Sequence, residues 1–459
     1  MEPSSPRTPL DSDNRATEFH PFSTSPPHML SFHLAWLSLF SCFFSAFSIT
    51  PLLPIIRQSL NLSAADVGAA GSAAFVSSVF SRIAMGSACD LFGPRIASST
   101  LSILTAPIVL ATAFISSPTS FILARFLIGF CLANFVANQF WMSSIFSTSV
   151  VGFVNGFGAG WGSMGAGFAQ LIMPLLFSLV KSYDVPENIA WRVVFVVPAI
   201  FQAITAVLVL VYGQELPRPR EKHGDSKRVS KSNKPNESFL EVLLNGLMNY
   251  RGWILCLTYG FCFGVEMTMD NIVAQYFYYI FGVKLEVAGT IAACFGLTNC
   301  FARPMGGVVS DRMGKWFGIR GRLWGLWVVQ TVAGLLCVLM GRVNSLGGSI
   351  AAMCVFSVFV QASSGMTFGI VPFVSKRSLG VISGMTGSGG TLGAVVTQMV
   401  LFSGDKFPIQ TGISLMGLMT IVCSLPLSLI YFPQWGGMFC APSSFHQTST
   451  PLGDYHLLV

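Results

Sequence analysis

The chain has 459 residues, of which 52% are hydrophobic and only 10% charged, and its mean hydropathy is +0.65, which leaves too little polar surface to cover a soluble globule of this size. The formal charge of +7 is spread over short segments between apolar runs rather than gathered on one basic face interleaved with aromatics, so nucleic acid is not an expected partner. The eleven cysteines stand singly, with no CxxC pair and no histidine at ligand spacing, which argues against a metal site, a metal cofactor or a disulfide framework.

Residues 1–30, rich in Pro, Ser and charge and lacking a basic segment ahead of a short apolar core, read as a disordered cytosolic tail rather than a signal peptide. Apolar runs long enough to cross a bilayer follow at 32–56, 66–91, 96–117, 118–143, 150–180 and 191–212. The composition then changes: 213–250 holds seven Lys or Arg and reads as a cytosolic basic linker. Six more runs follow at 251–281, 286–311, 322–341, 346–374, 378–403 and 409–432, and 433–459 forms a short tail. The expected architecture is an all-α membrane protein with twelve transmembrane helices, in an N-terminal bundle (31–212) and a C-terminal bundle (251–432). With the N-terminus in the cytosol, seventeen Lys or Arg fall on that side and six on the other, so both termini are expected to be cytosolic. The composition does not distinguish a plasma membrane from a vacuolar one.

Three arginines fall inside spans: Arg82, Arg125 and Arg303. Sliding the chain against itself at an offset of 221 residues aligns Arg82, Gly86, Asp90 and Gly93 with Arg303, Gly307, Asp311 and Gly314. At an offset of 228, GFVNGFGAGWGSMGAGFAQ (152–170) aligns with GVISGMTGSGGTLGAVVTQ (380–398) through G-x3-G-x5-G-x2-G-A-x3-Q. Two segments repeating in the same order argue for duplicated, pseudo-symmetric six-helix halves. Arg82 and Arg303 then sit at equivalent depth, each about 12 Å along a helix from its aspartate and near the bilayer middle. A guanidinium at that depth is unfavourable by at least about 2.5–3.5 kcal/mol unless it faces a cavity or a partner. Two arginines facing one cavity make an anion site; the plainer alternative pairs each with an acid in its own half. Arg125, nearer the outer end, reads as structural.

The glycines of spans 5 and 11 permit close helix packing. A sharper reading brings Gly162, Gly165, Gly389, Gly390 and Gly393 up to a small substrate. In span 7, Tyr259, Phe263, Glu266 and Asp270 are spaced four, three and four residues apart on one helical face. Its two acids are either fixed counter-ions or proton carriers, with Asp270, closer to the outer end, fitting better as a structural charge.

Gly86, Asp90, Gly93 and Arg95 after span 2, and the stretch from Gly307 through Asp311 and Arg312 to Lys315 after span 8, resemble the loop motif of the major facilitator superfamily. AGWGSMGAGFAQLIMPLL and SGMTGSGGTLGAV are similar to the two signatures of its nitrate/nitrite porter family, as are NYRGWILCLTYGFCFGVEMTMDNIVAQYF, FGLTNCFARPMGG and AWRVVFVVPAIFQ. The resemblance covers about residues 30 to 435. It implies the major facilitator fold and a gating role for Gly86, Asp90, Arg95, Gly307, Asp311 and Arg312. It also implies nitrate binding by Arg82 and Arg303 with aromatic contacts from Tyr259, Phe263 and Phe135, and proton-coupled symport with Glu266 as carrier. Ser163 stands where the signature usually has Asn, which bears on affinity and on nitrite against nitrate. The tail after 435 has no Lys or Arg, so the single-span accessory partner of some relatives is not assumed here. Partners are then nitrate or nitrite, protons and the lipid bilayer. Exchange of nitrate for nitrite and a sensor with little flux are the rival readings; an enzyme is not expected, since no nucleophile, metal cluster or phosphate loop is present.

Overall fold

Helix starts follow local chemistry. Ser63 and Ser117 each form a capping box, with Asp66 and Ser120 respectively, and Pro94 and Pro118 occupy first-turn positions where a missing N–H does no harm. The computed structural model describes residues 9–11, 14–147, 150–216, 244, 246–375, 379–404 and 406–442. Among them twelve helical spans can be traced. Spans 1 to 7 are His28–Ser59, Ala64–Phe92, Pro94–Phe114, Pro118–Ile145, Val151–Lys181, Glu187–Tyr212 and Tyr250–Phe281. Leu285–Met340 contains spans 8 and 9, joined at Gly318, whose φ of +63° breaks the helix where an L side chain would be strained. Gly93, with φ +85°, makes the corresponding turn between spans 2 and 3. Spans 10 to 12 are Leu346–Phe368, Leu379–Leu401 and Ile409–Leu429. Span 11 carries six glycines among its residues. The chain is an integral, multi-pass membrane protein.

The two six-helix halves meet along spans 5 and 8 and along spans 2 and 11, where small residues let backbones touch. A Cβ on Gly160 would meet the carbonyl of Asn299, and one on Gly167 would meet Gly296 and Leu297. The span 2–11 seam is tight at the face remote from the chain termini, where Gly68 lies against Phe402 and Ser403 and Gly71 against Gln398. Toward the terminal face the seam parts, and Gly86 and Gly384 have open space beside them.

Two features differ from the sequence reading. Residues 14–27 pack instead of hanging free: Ala16 exchanges backbone hydrogen bonds with Ile145 and Ser147, and Phe19 sits edge-on to Phe32 and Phe146 at ring distances of 4.8 and 5.7 Å. After span 12, strands β1 (Tyr431–Phe432) and β2 (Gly436–Gly437) form a small hairpin, held by Arg251 and Arg320 donating to the carbonyls of Tyr431 and Met438. The basic linker at 217–243 and the tail from 443 lie outside the described residues.

Candidate functional site

Span 2 carries Arg82 to the centre of the molecule, where it is 2% exposed. Opposite it, span 4 tightens into a 3-10 turn over Gly129–Ala133, and Leu132 presents its carbonyl there. Arg82 donates Nε–H to that oxygen at 3.3 Å and Nη1–H to the carbonyl of Gly387, in the other half, at 2.9 Å. Its Nη2 is buried and has no partner, and among the described residues no carboxylate pairs with it. The charge is met by dipoles and by ring faces, with Phe135 and Phe263 centred 5.1 and 5.2 Å from the guanidinium carbon.

Arg303, equally buried on span 8, donates through Nη2 to both carboxylate oxygens of Glu266, at 3.0 and 2.7 Å. Asn299, one turn before it, donates Nδ2–H to Glu266 Oε1 at 2.7 Å, and Ser364 of span 10 donates to Oε2 at 3.3 Å. Arg303 Nε is buried without a partner. The guanidinium carbon of Arg303 lies 5.1 Å from the same Phe263 ring that Arg82 faces, so the two groups are at most about 10 Å apart. The sequence reading puts a shared watery pocket at the two arginines; the structure puts the Phe263 ring close to both. At an effective dielectric of about 20 and a separation of at most about 10 Å, two such cations repel by at least about 1.7 kcal/mol. Only Arg303 has an acid directly on it.

Span 7 is broken at Phe261–Cys262, so its aromatic residues do not lie on one continuous helix as the spacing suggests. The break nevertheless leaves Tyr259 and Phe263 stacked, with centroids 5.1 Å apart and ring planes inclined by 15°. Phe135 from span 4 and Phe368 from span 10 complete the cluster, at 5.4 Å from Phe263 and 5.2 Å from Tyr259. The Tyr259 hydroxyl is buried and unpartnered. Three unused donors, on Arg82, Arg303 and Tyr259, therefore belong to residues that adjoin one ring, Phe263, in an interior where unmade hydrogen bonds are unfavourable.

The glycines divide. Gly390 lies on the Tyr259 and Phe263 rings and is part of this cluster. A Cβ on Gly162 would meet the Leu39 side chain, on Gly165 the Phe40 backbone, on Gly389 the Cys256 carbonyl and on Gly393 that of Gly260, so at these four the missing side chain permits helix contact. Ser163 is buried with its hydroxyl unpartnered. Asp270 is buried one turn beyond Glu266, and its Oδ1 has no partner.

Arg125 belongs to a separate network toward the far face. It donates to Ala46 O at 3.0 Å and to Asn271 Oδ1 at 2.7 Å, while Asn271 donates to Gln398 Oε1 at 3.1 Å. Gln170, the repeat partner of Gln398, donates to Asp270 O at 2.6 Å and to Thr50 at 2.8 Å. This network ties spans 1, 4 and 5 to span 7 across the two halves.

At the terminal face, Arg95 binds the end of span 6 through Gly213 O (3.2 Å) and, by its backbone N–H, Glu215 (2.7 Å). Asp311 pairs with Arg322 at 2.8 Å, and Arg312 is exposed. A Cβ on Gly307 would meet only the Gly152 carbonyl, at 3.9 Å. The side chain of Asp90 lies outside the described residues.

Sequence reasoning missed Asn299, Ser364 and Phe368. Asn299 is a polar residue one helical turn from a mid-membrane arginine, which was a usable signal. Phe368 lies in span 10, the counterpart of the span that holds Phe135, but the repeat offsets carry Phe135 to Phe356 or Ser363 and not to it. Ser364 has no signal among the many serines of these spans.

The chain matches the Major Facilitator Superfamily over residues 35–398. It is 61% identical over 445 residues to a protein of Arabidopsis thaliana described as high affinity nitrate transporter 2.7, covering 95% of this chain and 90% of that one. To high affinity nitrate transporter 2.5 of the same organism it is 55% identical over 450 residues, covering 98% and 88%. Among solved structures, an inward-facing, unoccupied bacterial homologue of the human lysosomal transporter Spinster shares the fold, with a TM-score of 0.63 at 16% identity over 87% of this chain and 95% of that one.

Proposed function

The chain belongs to the nitrate/nitrite porter family of the major facilitator superfamily, whose members are transporters and not enzymes, and we propose that it carries nitrate across its membrane in symport with protons. The observation that carries this reading is Arg82: a fully buried guanidinium with a free Nη2, no acid partner, and a second arginine from the duplicated half within about 10 Å. Nitrate is planar, carries one negative charge and accepts hydrogen bonds on three oxygens. It fits between Arg82 and Arg303 with the Tyr259 hydroxyl as a further donor, once the Phe263 ring swings aside. The stacked aromatic rings suit its flat faces.

Glu266 occupies Arg303 as an internal anion, so nitrate and the Glu266 carboxylate compete for one guanidinium. Protonating Glu266 releases Arg303, which couples nitrate binding to proton binding. Asp270, buried with a free Oδ1, is the second candidate proton carrier. One nitrate with two protons moves a net charge of +1, so a membrane potential negative on the receiving side contributes about 2.3 kcal/mol per 100 mV. With the termini in the cytosol, the closed far face is the outer one and the parted span 2–11 seam opens inward. Arg125 and the paired glutamines then form the outer closure between the halves.

The test is uptake of labelled nitrate into proteoliposomes holding the purified carrier, with and without an inward proton gradient. Uptake that rises with the gradient and moves positive charge inward supports symport. Uptake that depends on nitrite loaded inside and ignores pH replaces it with exchange, and binding without flux replaces it with a sensor.

A further inference from the structure

We infer that Asn299 is a positioning residue that makes Glu266 responsive to protons, because its carboxamide is complementary to the acid form of Glu266 and only half complementary to the carboxylate. The inference rests on the reading of Glu266 as a proton carrier. Asn299 Nδ2 already donates to Glu266 Oε1 at 2.7 Å, while Asn299 Oδ1, on the same amide plane, is buried and accepts nothing. A carboxylate has no hydrogen to offer that oxygen. A carboxylic acid does: its C=O accepts from the amide N–H while its O–H donates to the amide oxygen, closing a ring of two hydrogen bonds. Protonation of Glu266 therefore turns one bond and one orphaned acceptor into two bonds and none.

The placement of Asn299 follows from the fold. It lies on span 8 directly after Thr298, where the helices Leu285–Leu297 and Asn299–Met340 adjoin, and its own carbonyl abuts Gly160 of span 5, which fixes the backbone at the seam between halves. The other groups around Glu266 cannot play this part. Arg303 only donates, and the side-chain hydrogen bonds of Glu266 among the described residues go to Asn299, Arg303 and Ser364, with none to Asp270, Tyr259 or Cys262 on its own span. Arg82 donates to Leu132 O and Gly387 O, and Ser364 shares its single hydrogen among Glu266, Val360 O and Cys262. When Arg303 turns to the anion, Asn299 is the one amide left to hold the protonated acid.

The experiment measures nitrate uptake by proteoliposomes from about pH 5 to about pH 8 for the wild type, Glu266→Gln and Asn299→Leu. Leucine matches the asparagine shape and supplies neither bond. The expected result is a half-maximal pH moved in the acid direction by about one unit, a tenfold loss of proton affinity, with uptake recovered at sufficiently low pH. Asn299→Asp, which restores an acceptor beside the acid, moves the profile in the alkaline direction. Should Asn299→Leu not fold, the carboxylic C=O infrared band that nitrate binding induces in the wild type, absent in Glu266→Gln, is compared in Asn299→Ser, where it must change frequency. An unshifted or alkaline-shifted profile in Asn299→Leu, or an unchanged band in Asn299→Ser, overturns the inference. A wild type indifferent to pH, or a Glu266→Gln variant that keeps the wild-type profile, overturns the parent reading instead.

Discussion

Arg82→Lys keeps the positive charge and removes the planar fork, which isolates what the fork does. In the structure the three guanidinium nitrogens have three different situations: Nε donates to Leu132 O, Nη1 donates to Gly387 O across the halves, and Nη2 is buried with nothing on it. A lysine amine is a single point and cannot serve all three at once. Holding a carbonyl then leaves the anion one charge-assisted hydrogen bond short, a loss of about 1.5–3 kcal/mol. That converts to a rise of about 10- to 150-fold in the nitrate KM. The assay is nitrate uptake by proteoliposomes, accompanied by monodispersity and thermal stability of the purified variant, so that misfolding is separated from weak binding. A well-folded Arg82→Lys with a KM within about threefold of wild type would refute the assignment of Nη2 to the substrate.

Glu266→Gln removes the internal competitor for Arg303 while keeping an acceptor for Asn299, so nitrate binding should persist and lose its pH dependence, and nitrate-evoked current should vanish; a current of wild-type size and pH profile would sink this. Gly393→Ala drives a methyl into the Gly260 carbonyl on span 7, overpacking the contact by about 1–3 kcal/mol, and should lower the melting temperature of the carrier. Equal melting curves would mean that the helices shift apart without penalty. Arg125→Met breaks the bond to Asn271 and loosens the far face, so a cysteine introduced at Ser403 should react faster with an impermeant maleimide in a background without other reactive cysteines. No change in rate would place the closure elsewhere.

The duplication was legible because it rests on identities at fixed offsets, and the two arginines it pairs, Arg82 and Arg303, both come within 5.2 Å of one ring, that of Phe263. The backbone breaks were not. Span 4 tightens at Gly129–Ala133 and span 7 breaks at Phe261–Cys262 without a proline at either place, because tertiary contacts, here Gly129 against span 2, decide where a buried helix yields. Spacing fixes which face a residue occupies but not its rotamer, so Phe263 could be placed in the site and not against both of its charges. The glycines posed the same problem, since close packing and substrate contact require the same spacing; only the atoms opposite each one separate Gly390 from Gly162, Gly165 and Gly389. The packed N-terminal segment escaped notice because its composition is polar, and one aromatic, Phe19, finding four ring partners outweighs that.

The decisive experiment is a structure of the purified protein saturated with nitrate at acidic pH. A planar anion should appear between the guanidinium groups of Arg82 and Arg303, with Phe263 displaced and Glu266 withdrawn from Arg303 onto Asn299. Nitrate bound elsewhere, with Phe263 still close to both arginines and Glu266 still bidentate on Arg303, would mean that the paired guanidinium groups hold the halves together and do not carry the substrate.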